Sequence, residues 1–201
     1  MSRRELTYLT NAGPVVLCAL FAWANFSSWR STGRPTGLGS TLLEAWTAAL
    51  FLVRRPPSHV SFKAAAWIAA PVGSFVMLLA RPGGSSGIPH LYAEPIQLVG
   101  VVAAIASLGV LGRSIGIVAA NRGVRTAGPY RFVRHPIYLG YLITNIGYVL
   151  ESPTSRNLVL FTLALAGQLV RIREEERVLA RDDSYRRYMS RVRSRLVPYL
   201  F

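Results

Sequence analysis

The chain has 201 residues, 51% of them hydrophobic, a formal charge of +14 and a mean hydropathy of +0.32. Its arginines cluster in short connections and in the C-terminal tail. That distribution argues against a nucleic-acid footprint and for a membrane protein whose basic loops meet anionic headgroups. Cys18 is the single cysteine and falls in an apolar run, so it reads as a small buried hydrophobe, with no disulfide framework or cysteine metal cluster available.

Two arginines precede the first apolar stretch, as in a signal peptide. No Ala-x-Ala-type site stands out behind that stretch and further hydrophobic segments follow, so Asn11–Trp29 is expected to be a retained first span. Ser31–Gly39 reads as a turn-rich connection. Ser40–Val53 is a shorter second span containing Glu44. A bare carboxylate in lipid is expensive, so Glu44 either pairs inside the bundle or lies near the interface. Arg54, Arg55, Pro56 and Pro57 then break the helix, with Lys63 just beyond. A third span runs from Phe62 to Leu79, with Pro71 as its kink point. Arg81–Pro89 is a Gly/Ser/Pro loop, and His90 after it reads as an interfacial residue. The fourth span, Tyr92–Leu111, is the cleanest, and Gly100, Ala103, Ala104, Gly109 and Gly112 on it permit close helix contacts.

Arg113–Arg134 holds five arginines and no acid, which marks it as cytoplasmic. The same rule puts the N-terminus, the Arg54–Lys63 connection and the C-terminal tail on that side, because the loops near Arg30, Arg81 and Arg156 are poorer in cations. Pro136–Leu150 and Asn157–Val170 form a closing hairpin turned at Glu151, Ser152 and Pro153. Both arms are short, which makes the expected count five or six spans.

From Arg171 to Arg195 the chain carries nine arginines and five acids at helical spacing. Gln168, Arg171, Glu175 and Val178 share a face, Glu175 can pair with Arg171 one turn back, and Tyr185 and Tyr188 share a face. Pro198 is expected to end the element. By itself this is an ion-paired surface helix along the headgroups. It leaves the second arm of the hairpin, however, at the depth where Arg134 and His135 enter the first arm. The two polar clusters should therefore meet.

The densest cluster is Gly128–Gly140, GPYRFVRHPIYLG. Pro136 fits the first turn of a helix and not a helix interior. Arg134 and His135 then lie at the helix mouth, where free N–H groups favour anionic or carboxylate-bearing ligands. Tyr138 and Gly140 flank the same mouth with an aromatic ring and a backbone-only position.

The core Arg134-His135-Pro136-x-Tyr138-x-Gly140 resembles the signature of the isoprenylcysteine carboxyl methyltransferase and phospholipid methyltransferase superfamily. Glu175-Glu176-x-x-Leu179, preceded by Arg171 and followed by Tyr185 and Tyr188, resembles its second element. One departure is the link Ala180-Arg181-Asp182-Asp183-Ser184, where the family has a Phe-Gly pair and a longer step.

The resemblance implies an all-α, polytopic transmembrane bundle with a C-terminal cytoplasmic amphipathic helix completing a cofactor pocket. It forms a single domain, with residues 1–112 giving the N-terminal spans and 113–201 the catalytic part. The implied cofactor is S-adenosyl-L-methionine, bound without a Rossmann sheet, and the chain has no Gly-x-Gly-x-x-Gly after a strand. Carried onto this chain, His135, Pro136, Tyr138 and Gly140 hold the cofactor, and Tyr130 and Arg134 shape its entrance. Glu175 and Glu176 complete the pocket, one on the ribose or amino group and the other near the acceptor. Arg171 stands nearest the transferred methyl, orienting an acceptor carboxylate or phosphate. The expected partners are membrane lipids and a lipophilic acceptor bearing a carboxylate, amine or thiol, with no metal and no nucleic acid.

The 22 arginines against the single Lys63 suggest a GC-rich bacterial genome and the inner membrane, with both termini cytoplasmic. Two rivals remain open: a non-enzymatic membrane scaffold or lipid-binding bundle, and a membrane reductase of the sterol-reductase kind.

Overall fold

A computed structural model of the chain describes residues 3–83 and 87–198. It is 74% helical, and its two strands have two residues each, so the all-α reading holds. Seven α-helices follow in order: α1 Arg3–Thr32, α2 Pro35–Val53, α3 Ala64–Phe75, α4 His90–Leu111, α5 Pro136–Glu151, α6 Ser155–Leu179 and α7 Asp183–Arg191.

The connection between α1 and α2 is far shorter than the expected Ser31–Gly39. Gly33 takes the left-handed conformation (φ 70°) and donates its N–H to Trp29 O at 2.7 Å, closing α1. Pro35 then starts α2 at its first turn. Gly37 and Gly39 look like breakers in the sequence, but Gly37 is where α2 presses on Trp29, and a Cβ there would lie 3.0 Å from the Trp29 Cβ. α3 carries Pro71 internally and tightens into a 3-10 turn over Val76–Leu79. Part of the Arg81–Pro89 loop lies outside the described residues.

Small residues set the helix contacts. α4 and α5 cross where Gly100 meets Thr144 and Gly140, and α3 and α6 cross where Gly73 meets Gly167 and Gln168. In a bilayer, packing of this kind replaces the hydrophobic drive that joins helices in water. The apolar core gathers Leu43, Leu50, Phe51, Val101, Ala104 and Leu108 between α2 and α4.

The bundle has two unlike ends. At one, β1 (His59–Val60) pairs antiparallel with β2 (Ala120–Asn121), tying the two arginine-rich connections together. At the other, the α1–α2, α3–α4 and α5–α6 connections meet. There Arg34 pairs with Glu151 at 2.7 Å, Ile88 N donates to Leu150 O, and Arg81 N donates to Asn157 Oδ1.

Among the described residues three segments can cross a membrane by length and composition: Asn11–Thr32, Pro35–Val53 and His90–Ser114. The remaining expected spans fall short of that length and composition, because α3 with its 3-10 turn and α5 each have 16 residues and α6 ends in charge. Exposed apolar side chains nevertheless lie on all six long helices, among them Trp23, Trp46, Trp67, Val102, Ile146 and Leu163. The C-terminal stretch is also not one helix. α6 stops at Leu179, Asp182 caps α7 by accepting from Ser184 N, and α7 ends at Arg191. Pro198 terminates no helix.

Candidate active site

The site begins at the mouth of α5. Gly128, at φ 55°, opens a 3-10 turn over Gly128–Arg131 that buries Tyr130. Tyr130 packs with Tyr185 and Tyr188 of α7, and Tyr188 Oη donates to Tyr130 O at 2.7 Å. α7 is therefore inward-facing along its tyrosines. Burial drives all three phenols well above their ordinary range, so each stays a neutral hydroxyl. His135 is the N-cap of α5 and Pro136 its first residue.

The backbone N–H groups of Arg134 and His135 are not open for a ligand. They donate to Ser194 O and Arg195 O at 3.0 and 2.9 Å, so the C-terminal tail straps onto the mouth like a short strand. Arg134 Nη1 adds a bond to Val192 O.

α6 supplies the opposing groups. Tyr138 Oη donates to Glu175 Oε1, and the Arg171 guanidinium lies over the Tyr138 ring at 4.9 Å. Arg171 Nη2 is 3.7 Å from Glu175 Oε1, and Nη1 donates to Ser74 Oγ on α3. The His135 and Tyr138 rings stack at 5.6 Å, and His135 Nδ1 is 3.8 Å from Glu175 Oε2. The two polar clusters on the hairpin arms do meet.

An interior cavity of about 620 Å³ opens beside them, within the range of small-molecule sites. Tyr130, Arg134, His135, Tyr138, Arg171 and Glu175 line it. Pro136, Gly140 and Glu176 do not. Pro136 only starts the helix. Gly140 faces α4, where a Cβ would fall 2.7 Å from Gly100 O and 2.8 Å from Ala104 N. Its lack of a side chain serves helix packing, which replaces the expected cofactor contact. Gly140→Val is expected to lower thermal stability sharply, while the fraction that remains folded keeps its ligand affinity. A melt followed by titration of the folded protein checks both.

Glu176 turns the other way, into a buried ion cluster. Its Oε1 is 3.3 Å from His135 Nε2 and 2.8 Å from Arg134 Nε, the latter an ion pair without hydrogen-bond alignment. Its Oε2 accepts from Arg195 Nε at 2.9 Å. Burial alone would raise this carboxyl. The His135 and Arg195 hydrogen bonds, with the charge of Arg134, outweigh burial and hold it below the ordinary carboxylate range. Glu176 thus joins groups of the α5 mouth to the C-terminal tail.

Of the further lining residues, Arg125 and Ser74 carry no sequence signal, whereas the sequence places Tyr185 and Gln168 only on helix faces. Arg125 and Tyr185 line the cavity, as does Arg171, and Arg125 Nε, Arg171 Nε and Tyr185 Oη are buried without a partner among the described residues. Ser74 and Gln168 join them from the crossing of α3 and α6. Glu44 also faces the cavity from the middle of α2, with no ion pair to it among the described residues.

This arrangement defines a helical membrane bundle with a polar cluster at one end of an interior ligand chamber. Residues 96–181 match the isoprenylcysteine carboxyl methyltransferase (ICMT) family, and that segment holds the whole Arg134–Glu176 cluster. With three helices among the described residues long and apolar enough to cross a bilayer, the chain is an integral membrane protein similar over residues 96–181 to a methyltransferase family. No curated protein matches it at a significant level.

Proposed function

We propose that the chain transfers a methyl group from S-adenosylmethionine to a membrane-associated acceptor bearing a carboxylate, amine or thiol. The observation that carries this reading is the Tyr138–Glu175–Arg171 cluster facing a chamber of about 620 Å³ inside the family-matched segment. The cofactor's chemistry suits the residues present. The unpartnered Arg125 Nε, Arg171 Nε and Tyr185 Oη await a polar ligand, and the stacked His135 and Tyr138 rings, with the tyrosine wall of Tyr130, Tyr185 and Tyr188, suit a flat base and a sulfonium.

When bound, this cofactor supplies an electrophilic methyl and a neutral thioether leaving group. The chain's own work is alignment and exclusion of water. Glu175 holds a ribose hydroxyl or the amino group. It can also accept the proton of an amine or thiol acceptor, whereas a carboxylate acceptor needs no base. Arg171, held by Glu175, Ser74 and the Tyr138 face, orients an anionic group of the acceptor. Glu176 keeps Arg134 and His135 in place from behind.

Lipids and a lipophilic acceptor are the partners in this reading, with no metal and no nucleic acid. α3, α5 and the apolar part of α6 share the bilayer with the three longer spans, giving six thin or full crossings. The arginine-rich end faces the cytoplasm with both termini, and the arginine-to-lysine bias favours a bacterial inner membrane.

The test is calorimetric titration of the lipid-reconstituted protein with S-adenosylmethionine and with its demethylated product, beside His135→Ala. Saturable binding lost in the variant is the expected result. Absence of binding to folded wild type would move the reading to a non-enzymatic bundle or a reductase.

A further inference from the structure

The chamber does not stop at the Arg171 cluster. It continues through the bundle toward Arg34, and its deep walls are polar on three helices. α2 turns Ser40, Glu44 and Thr47 into it, at spacings of four and three that make one helical face. α5 turns in Tyr141, Asn145 and Tyr148 at the same spacings. α1 adds Asn25 and Ser28. A chamber meant only for an acyl or prenyl chain has no use for three polar stripes, each of which would lose its hydration to hydrocarbon.

The charges along the chamber are unequal. Arg171 has Glu175, and Arg34 has Glu151 and Glu94. Glu44 has the Cys18 thiol as its hydrogen-bonding neighbour, and no cation pairs with it among the described residues. An intramembrane carboxylate of this kind faces a partner supplied from elsewhere or stays protonated. Tyr141, three residues and hence about 4.5 Å along α5 from Tyr138, lines the chamber together with Glu44 and Arg171.

We propose that Glu44 is an ammonium-binding subsite of the acceptor chamber, so that the acceptor is an amphiphile with a cationic group anchored there. This rests on the methyl-transfer reading for the word acceptor. The cation is an anchor and not the atom that receives the methyl, because Glu175, not Glu44, stands in the Tyr138–Arg171 cluster. With an anionic group oriented by Arg171 the acceptor's polar part is zwitterionic, and Ser40, Thr47 and Asn145 serve its remaining hydrogen bonds.

The test uses the full chain in lipid nanodiscs, with empty nanodiscs subtracted, and two probes at neutral pH: dodecylamine, which is cationic, and dodecanoate. Dodecylamine is expected to bind saturably and to lose about tenfold or more in affinity in Glu44→Gln, since a bond to a charged group is removed. Glu44→Asp keeps the charge and should retain most of the binding, which separates loss of charge from misfolding. Dodecanoate should bind more weakly than dodecylamine and respond little to Glu44→Gln. Equal dodecylamine affinity in wild type and Glu44→Gln, or preference for dodecanoate, overturns the proposal and makes Glu44 a protonated partner of Cys18. S-adenosylmethionine titration of the same samples keeps the two readings apart. Glu44-dependent amine binding without cofactor binding would preserve the cation subsite and overturn methyl transfer.

Discussion

Glu175→Gln is expected to weaken S-adenosylmethionine binding by about ten- to a hundredfold, the range spanned by losing one hydrogen bond to a charged group. Glu174, Glu175 and Glu176 are consecutive on α6, and only Glu175 faces the chamber. Glu176 is spent on Arg134, His135 and Arg195, and Glu174 pairs with Arg177 beside the His59–Lys63 segment. The substitution keeps the size of the side chain and an oxygen able to accept from Tyr138 Oη. What it removes is the charge that a ribose hydroxyl, an amino group or a sulfonium would feel. Glu174→Gln is the matched control and should leave the titration unchanged. A Glu175→Gln protein that binds the cofactor like wild type would remove this carboxylate from the cofactor site.

Why the three glutamates divide in this way could not be read from their order. Neighbouring residues on a helix point about 100° apart, so a run of three must face three directions. Which direction meets a chamber depends on where α3 and α5 pack, and that is a tertiary fact. The meeting of the Arg134–His135 mouth with Glu175 and Glu176 was legible, because Pro136 fixes the start of α5 and a short turn after Glu151 leads the chain back through α6. The strap of Ser194 and Arg195 across the α5 mouth was not legible. Two backbone bonds between residues 60 apart leave no periodic trace. Gly140 shows the converse error. A glycine two residues past a motif tyrosine suggested an approach to a ligand, whereas the approach it permits is to Gly100 and Ala104 of α4. Glu44 was visible as a costly residue in an apolar run, but only the packing of α1, α2 and α5 shows that its face is the chamber's.

Glu176→Ala is expected to detach the C-terminal tail and destabilise the protein. The variant leaves Arg134 buried, with 8% of its surface exposed, and without the carboxylate that now sits 2.8 Å from its Nε. Removing one partner of a buried pair costs about 3–5 kcal/mol, a large share of the roughly 5–15 kcal/mol that separates a folded domain from its unfolded chain. Hydrogen exchange locates the effect, because the amides of Arg134 and His135 are held by Ser194 O and Arg195 O and should lose protection first. The acid response has a definite sign. Glu176 is held below the ordinary carboxylate value of 4.5 in the folded state. Its contribution is therefore full above that value and is lost as pH falls through the lower folded one. Wild-type protection of these two amides should decline below about pH 4.5, while Glu176→Gln, which has no proton to gain, should show the weaker protection at every pH and no step in that window. If the amides stay protected in Glu176→Ala, or if Glu176→Gln shows the same acid step as wild type, the tail is held by its backbone bonds alone and the ion cluster is incidental to it.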